Sequence, residues 1–154
     1  PVRTRVGHSL IKDEMAKTGA IFGGEHSAHY YFKDFYGADS GMLAAMHVLR
    51  ELGSQDKPLS EFAARFDPYF ASGEINSTVS NAAEKIAQIK AEYGNHPIDE
   101  LDGITISSDS GQSPWWWFNV RSSNTEPLLR LNVESSDQAA CKALTDKLLG
   151  IIRS

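Results

Sequence analysis

A single cysteine, Cys141, excludes an internal disulfide, and the helical pattern around it assigns it to buried packing. No apolar run approaches the roughly 20 residues that a membrane span requires. No signal-peptide pattern is visible. Positive charge is scarce: 15 Lys and Arg against 20 Asp and Glu give a formal net charge of −5 and a pI near 5.5, which argues against a nucleic-acid surface. Internal repeats and low-complexity tracts are absent. The expected compartment is therefore the cytoplasm, with neither nucleic acid nor membrane as a partner. What is present is an apolar share of 41%, enough for a core, in 154 residues, which suffice for one domain or one small domain plus a piece of another.

Ile11 and Met15, four apart, predict a short helix over 8–18 that Gly19 stops. Ala20-Ile21-Phe22 reads as a buried strand. It delivers Gly23-Gly24-Glu25, where two glycines free the backbone to turn. An extended aromatic pattern resumes from His29 to Phe32. Glu25 and Ser27 thus fall on a loop at a strand end, where α/β sheets place ligand contacts. Asp39 or Ser40 caps the next helix, 41–52, and Gly53 ends it. That helix is apolar nearly all round (Met42, Leu43, Met46, Val48, Leu49, Leu52), which predicts burial on several sides in a whole domain and part exposure in an isolated fragment of one. Residues 54–73 read as a linker with a short amphipathic helix marked by Leu59, Phe62 and Phe66 and broken at Asp67-Pro68. From 74 onwards the pattern is β-α-β-β-β-α. A strand at 74–78 precedes a helix that Asn81 and Glu84 open and Gly94 closes. Strands follow at 104–107, 115–121 and 128–134. Ser135 with Gln138 caps a final helix, with Ala140, Leu144, Leu148 and Ile152 on its inner face. The predicted fold class is α/β for the first part and α+β for the second, an antiparallel sheet with helices packed on it.

The densest chemistry lies in Arg121-Ser122-Ser123-Asn124-Thr125-Glu126-Pro127-Leu128-Leu129-Arg130. Two arginines bracket hydroxyls, an amide and free backbone N–H groups between two strands. Arg forks match phosphate oxygens bidentately, and Ser123, Asn124 and Thr125 add short donors that also shape a turn. Each hydrogen bond to a charged group contributes about 1.5–3 kcal/mol, so four or five hold a phosphoester. The competing reading is a polar turn with surface charges. Upstream, Glu25 and Ser27 share one side of an extended segment. A carboxylate beside a serine suits vicinal sugar hydroxyls; the alternative is a surface glutamate in a polar loop. His29 and His8 are each open to a ligand role or a packing role. Trp115-Trp116-Trp117 reads as strand packing, with Trp116, Phe118 and Val120 towards the core and Trp115 and Trp117 facing out or covering a helix. The spacing of Glu25, His26 and His29 fits no usual zinc site.

Residues 121–130 resemble the phosphate-binding loop of the α-D-phosphohexomutase family, the phosphomannomutase/phosphoglucomutase enzymes, whose pattern is Arg-x-Ser-Asn-Thr-Glu/Thr-Pro before a strand. Gly24-Glu25-His26-Ser27-Ala28-His29 is similar to the family's sugar-binding loop, Gly-Glu-Met-Ser-Gly-His. Gly7-His8-Ser9-Leu10-Ile11-Lys12 is similar to its specificity segment. The three stand in family order, and the resemblance runs from about residue 3 to the end. The chain departs at His26 and at Ala28, where a Cβ matters if the backbone needs a positive φ. Asn124 and His26 tilt the resemblance towards a phosphomannomutase or dual enzyme and away from phosphoglucosamine mutases, which remain an alternative.

The resemblance implies interconversion of hexose 6-phosphate and hexose 1-phosphate through a phosphoserine enzyme and a 1,6-bisphosphate, with Mg2+ as cofactor. Mannose 1-phosphate, mannose 6-phosphate and glucose phosphates would be the substrates. No Ser-His-Asn-Pro-type segment and no Asp-x-Asp-x-Asp-Arg loop occurs, and the chain starts at Pro1. The expectation is a C-terminal fragment, inactive alone. It would hold the end of domain 3 (1–53, sugar loop), a linker (54–73) and domain 4 (74–154, phosphate loop). Its partners would be the missing N-terminal domains, which carry the magnesium ligands; the fragment needs no cofactor of its own. By the same resemblance, Arg121, Ser123, Asn124, Thr125 and Arg130 hold the non-reacting phosphate, Glu25, Ser27 and His8 hold the sugar, and His29 bonds to it or moves a proton. Arg130 ranks last, because Glu126 or Glu134 could claim it. The rival functions are a stand-alone phosphosugar- or anion-binding module and a protein-interaction domain that uses the tryptophan strand.

Overall fold

A computed structural model describes residues 1–123 and 126–154, which form two compact units, Pro1–Phe66 and Asp67–Ser154. Unit 1 opens with α1 (His8–Thr18), stopped by Gly19 at φ 70°. Three short strands follow, β1 (Phe22–Gly24), β2 (Tyr30–Phe32) and β3 (Ala38–Asp39), paired antiparallel in that order. Ile11 and Met15 of α1 pack with Tyr31 into a small buried cluster. Gly23 allows this approach. A Cβ there would come within 2.8 Å of the Met15 sulfur and 3.2 Å of Ile11. The apolar run at 20–22 is thus only the lead-in to the first strand. Ile21 is 78% exposed, and the two glycines lie inside β1 opposite Tyr31 and Tyr30 rather than making the turn.

The turn falls at Tyr36-Gly37 for β2–β3. Both residues have positive φ, as the central pair of a type I′ turn requires, and the Ala38 N–H donates to the Phe35 carbonyl at 2.8 Å; the turn sits within a five-residue connection, 33–37. Ser40 caps α2 (Gly41–Gly53), its hydroxyl accepting from the Leu43 N–H at 3.2 Å. The burial of α2 expected in a whole domain is not found: none of its residues is buried, and Met42 and Leu49 are 74% and 64% exposed. Three strands of two or three residues cover only one side of it, where Phe32 stacks on His47. A short helix, α3 (Leu59–Ala64), completes the unit.

Unit 2 contains β4 (Phe70–Ala71), β5 (Ile75–Thr78), α4 (Ala82–Glu92), β6 (Ile98–Asp99), β7 (Ile104–Ser107), β8 (Trp116–Ser122), β9 (Leu128–Ser135) and α5 (Gln138–Arg153). All pairs are antiparallel, in the order β4-β9-β8-β7-β6, with β5 also on β9. Strict alternation along β8 and β9 sends Phe118, Val120, Leu129, Leu131 and Val133 to one face. There α4 and α5 bring Ile89, Leu148 and Ile152 to close the core. Trp116 packs on this core, stacked on Phe118. Trp117 points to the other face and donates from Nε1 to Glu134 at 3.0 Å, while Trp115 meets Tyr69. Asn81 caps α4 as expected, accepting from the Glu84 N–H at 3.1 Å. The cap of α5 is Asp137, not Ser135, which is instead buried at the end of β9, where its hydroxyl donates to the Trp115 carbonyl.

One irregularity positions the site. Ala71 pairs with Glu134 and Ile75 with Leu131, so four steps on the edge strand oppose three on β9. This is a one-residue bulge, and it contains Gly73 at φ 68°. It delivers Glu74 at the start of β5.

Candidate functional site

The loop between β1 and β2 is a three-residue hairpin connection. The Glu25 N–H donates to the His29 carbonyl at 2.9 Å, and the Ala28 N–H donates to the Glu25 carbonyl at 3.0 Å. Ala28 has φ 65°, the left-handed residue that ends this kind of loop and that usually is glycine. The Cβ at position 28 therefore does carry strain, of roughly 1 kcal/mol. Ala28→Gly is expected to stabilise unit 1 by about 0.5 kcal/mol, the relief being partly offset by the greater freedom of glycine in the unfolded chain. Denaturant melts of the two proteins check this; a loss of stability would contradict it.

The loop gathers three of the expected site residues and two whose local sequence does not mark them for a site. Tyr31, wholly buried, donates its one hydroxyl proton to Glu25 Oε1. Its oxygen lies 3.2 Å from His8 Nδ1. With the phenol proton on Glu25, His8 Nδ1 must be the donor. Burial first, then the Glu25 carboxylate, pushes the Tyr31 phenol well above its ordinary range, so it stays a donor at all working pH. Asp39 Oδ2 accepts from His29 Nδ1 at 2.9 Å, and its other oxygen lies 3.7 Å from His8 Nδ1. Glu25, Tyr31, His8, Asp39 and His29 thus form one chain of polar contacts. In both histidines Nδ1 is committed, and Nε2 is the nitrogen left for a ligand or a proton. Ser27 stands exposed on the loop between Glu25 and His29.

The bond to Asp39 raises the His29 pKa above the usual histidine value and lowers that of Asp39. A raised histidine pKa contributes stability below its unfolded value, and this is lost as pH rises through the folded value. A lowered carboxylate pKa contributes stability above its unfolded value, and this is lost as pH falls through the folded value. The pair therefore holds the loop between these two limits, a window that includes mildly acidic pH. In Asp39→Asn the His29 titration, followed by NMR, is expected to shift to lower pH. An unchanged midpoint would show that the contact is not made in solution.

The second loop lies in unit 2. Arg121 on β8 and Arg130 on β9 are paired directly across the two strands. The alternation that buries Val120 and Leu131 places both arginines on the face away from the helices. Ser123 closes the hairpin, its N–H donating to the Leu128 carbonyl at 2.9 Å. Asn124 and Thr125 lie outside the described residues. Arg130 pairs with neither Glu126 nor Glu134. One carboxylate, Glu74, takes both guanidinium groups: Oε2 is 3.3 Å from Arg121 Nη2, and Oε1 is 3.2 Å from Arg130 Nη1. In the sequence Glu74 reads only as the start of a strand. Two positive groups and one negative leave the cluster cationic, with N–H donors unspent among the described residues that suit an anion.

Residues 1–69 match the family pattern described as phosphoglucomutase/phosphomannomutase, alpha/beta/alpha domain III. Residues 74–151 match the one described as phosphoglucomutase/phosphomannomutase, C-terminal domain. The chain belongs to the phosphoglucomutase/phosphomannomutase family. It is similar to a phosphomannomutase of Escherichia coli, with 45% identity over 99% of this chain and 33% of that protein. It is also similar to a phosphomannomutase of Methanocaldococcus jannaschii, with 38% identity over 98% of this chain and 32% of that protein. Among solved structures, a phosphoglucomutase/phosphomannomutase family protein from Burkholderia thailandensis superposes with a TM-score of 0.77 and 26% identity, covering 99% of this chain and 33% of that one. The chain spans about a third of the length of these relatives. Both candidate loops lie within the matched family domains. No helix among the described residues is long and apolar enough to cross a membrane.

Proposed function

We propose that this chain is the substrate-holding portion of a hexose phosphate mutase of the phosphomannomutase type, and that it turns over no substrate by itself. The observation that carries the proposal is the arginine pair. Arg121 and Arg130 stand side by side across β8 and β9, at the mouth of a loop whose sequence is rich in short donors. Arg121, Arg130, Ser123, Asn124 and Thr125 hold the phosphate that does not react. Glu25 and Ser27 accept and donate to ring hydroxyls, and His8 offers Nε2 beside them. His29, its Nδ1 on Asp39, holds or releases a proton at Nε2. Grip on a remote phosphate supplies binding energy that orients the reacting end. A separate grip on the ring suits a substrate that must bind in either direction, as a bisphosphorylated intermediate requires.

The phosphoserine and the magnesium of such a reaction belong to residues outside this chain. Among the described residues no group of three or more His, Cys, Asp or Glu could hold a metal ion. On this reading the chain binds and orients the phosphosugar, with His29 holding or releasing a proton beside it. The test is a titration of the labelled chain with mannose 1-phosphate and, separately, inorganic phosphate. NMR shifts at Arg121, Ser123 and Arg130 with both ligands, and at Glu25 and Ser27 with the sugar phosphate alone, are expected. No shift at either loop at high millimolar ligand, or turnover by the chain alone, would overturn the proposal.

A further inference from the structure

Arg130 and Arg121 lie on the adjacent strands β9 and β8, and Glu74 immediately precedes β5 on the other side of β9; the three side chains meet on the face away from the helices. Two like charges directly opposite each other on paired strands repel. The Glu74 carboxylate lies between them and gives one oxygen to each guanidinium. Each contact takes a single terminal nitrogen, Nη2 of Arg121 and Nη1 of Arg130. The Nε–Nη2 edge of Arg130 is left over, and this is the edge that grips a phosphate with two parallel bonds. Its Nε is buried, with no hydrogen-bond partner among the described residues. A buried donor without an acceptor is costly, and an anion oxygen at this edge would remove the cost. Glu74 itself is fixed by main-chain geometry, because the bulge at Gly73 sets where β5 begins.

We propose that Glu74 is a positioning residue of the phosphate site, holding the two arginines at one spacing with the Nε edge of Arg130 turned to the ligand. The proposal rests on the phosphate-loop reading above. It has a distinctive sign. Removing a carboxylate makes the site more positive, so electrostatics alone would tighten phosphate binding. Loss of positioning weakens it.

The experiment uses the whole chain and titrates inorganic phosphate, then mannose 1-phosphate, into wild type, Glu74→Ala, Glu74→Gln and Arg121→Ala. The Nε–H signals of Arg121 and Arg130 are followed by NMR alongside the main-chain amides. Glu74→Ala is expected to weaken binding about tenfold, the equivalent of one hydrogen bond to a charged group, and to broaden or merge the two Nε–H signals. Glu74→Gln keeps an acceptor and the shape, and is expected to recover part of both. If Glu74→Ala does not fold, Glu74→Gln carries the test, with binding weaker than wild type as the expected result. Unchanged or tighter binding in the Glu74 variants, with binding lost in Arg121→Ala, overturns the role of Glu74 alone. Binding absent in wild type, or undiminished in Arg121→Ala, overturns the phosphate-loop reading and the role of Glu74 with it.

Discussion

Gly103→Ala is expected to cost unit 2 roughly 3 kcal/mol or more, one of the larger losses a single methyl group can cause. Two causes add. Gly103 has φ +68°, where any Cβ is strained by roughly 1–2 kcal/mol. That Cβ would also stand 2.3 Å from the Val120 carbonyl oxygen, 2.6 Å from Arg121 Cβ and 2.7 Å from Arg121 Cα. These are mainly main-chain atoms of β8, held by pairing on both sides, so no rotamer change relieves the clash. The chain around Gly103 must instead lift from β8. That breaks the bond from Asn119 Nδ2 to the Asp102 carbonyl at 2.9 Å and strains the pairing of Ile104 with Val120. In a domain of this size each kcal/mol lowers the melting temperature by about 4–8 °C, so a fall of more than about 12 °C is expected in a thermal melt. A change of only a few degrees would mean that the turn moves freely. Because the clash lies at Arg121, phosphate binding should weaken in whatever fraction remains folded.

Arg121→Ala is expected to reduce affinity for inorganic phosphate and for mannose 1-phosphate by roughly tenfold to a hundredfold or more, at about 1.5–3 kcal/mol for each charged hydrogen bond lost. The substitution also alters the balance of the cluster. Glu74 would then face Arg130 alone, and the group would pass from net positive to neutral. The fold should hardly respond, since Arg121 is not part of the core and its partner keeps a second cation. Titration with thermal melts as a control checks this. Equal affinity in the variant would remove Arg121 from the site.

The elements with strong periodicity are legible in the sequence. Helix 8–18 with its Gly19 stop, the helix that Asn81 opens and the alternating strands on either side of residues 123–127 stand where the pattern puts them. Residues whose importance depends on partners distant in sequence are not. Glu74 meets its arginines across 47 and 56 positions, and no local pattern marks such a pairing. Asp39 reads as a helix cap because it precedes a helix; its site role comes from the strand pairing that sets it opposite Tyr31. Tyr31 reads as one aromatic among several, since burial is a property of the fold. β4 and β6, at two residues each, are too short to show alternation. The strain at Ala28 is conditional on a backbone angle that only a structure supplies.

The bulge at Gly73 has a consequence for solution behaviour as well. β4 and β5 together form one outer edge of the sheet in unit 2. Without the extra residue, 70–78 would run as a single straight edge strand, an open row of main-chain donors and acceptors on which another molecule's strand could add. The bulge divides that row, twists its two halves apart and puts a charged side chain at the break. Deletion of Gly73 would thus be felt first as concentration-dependent association rather than as a loss of folding.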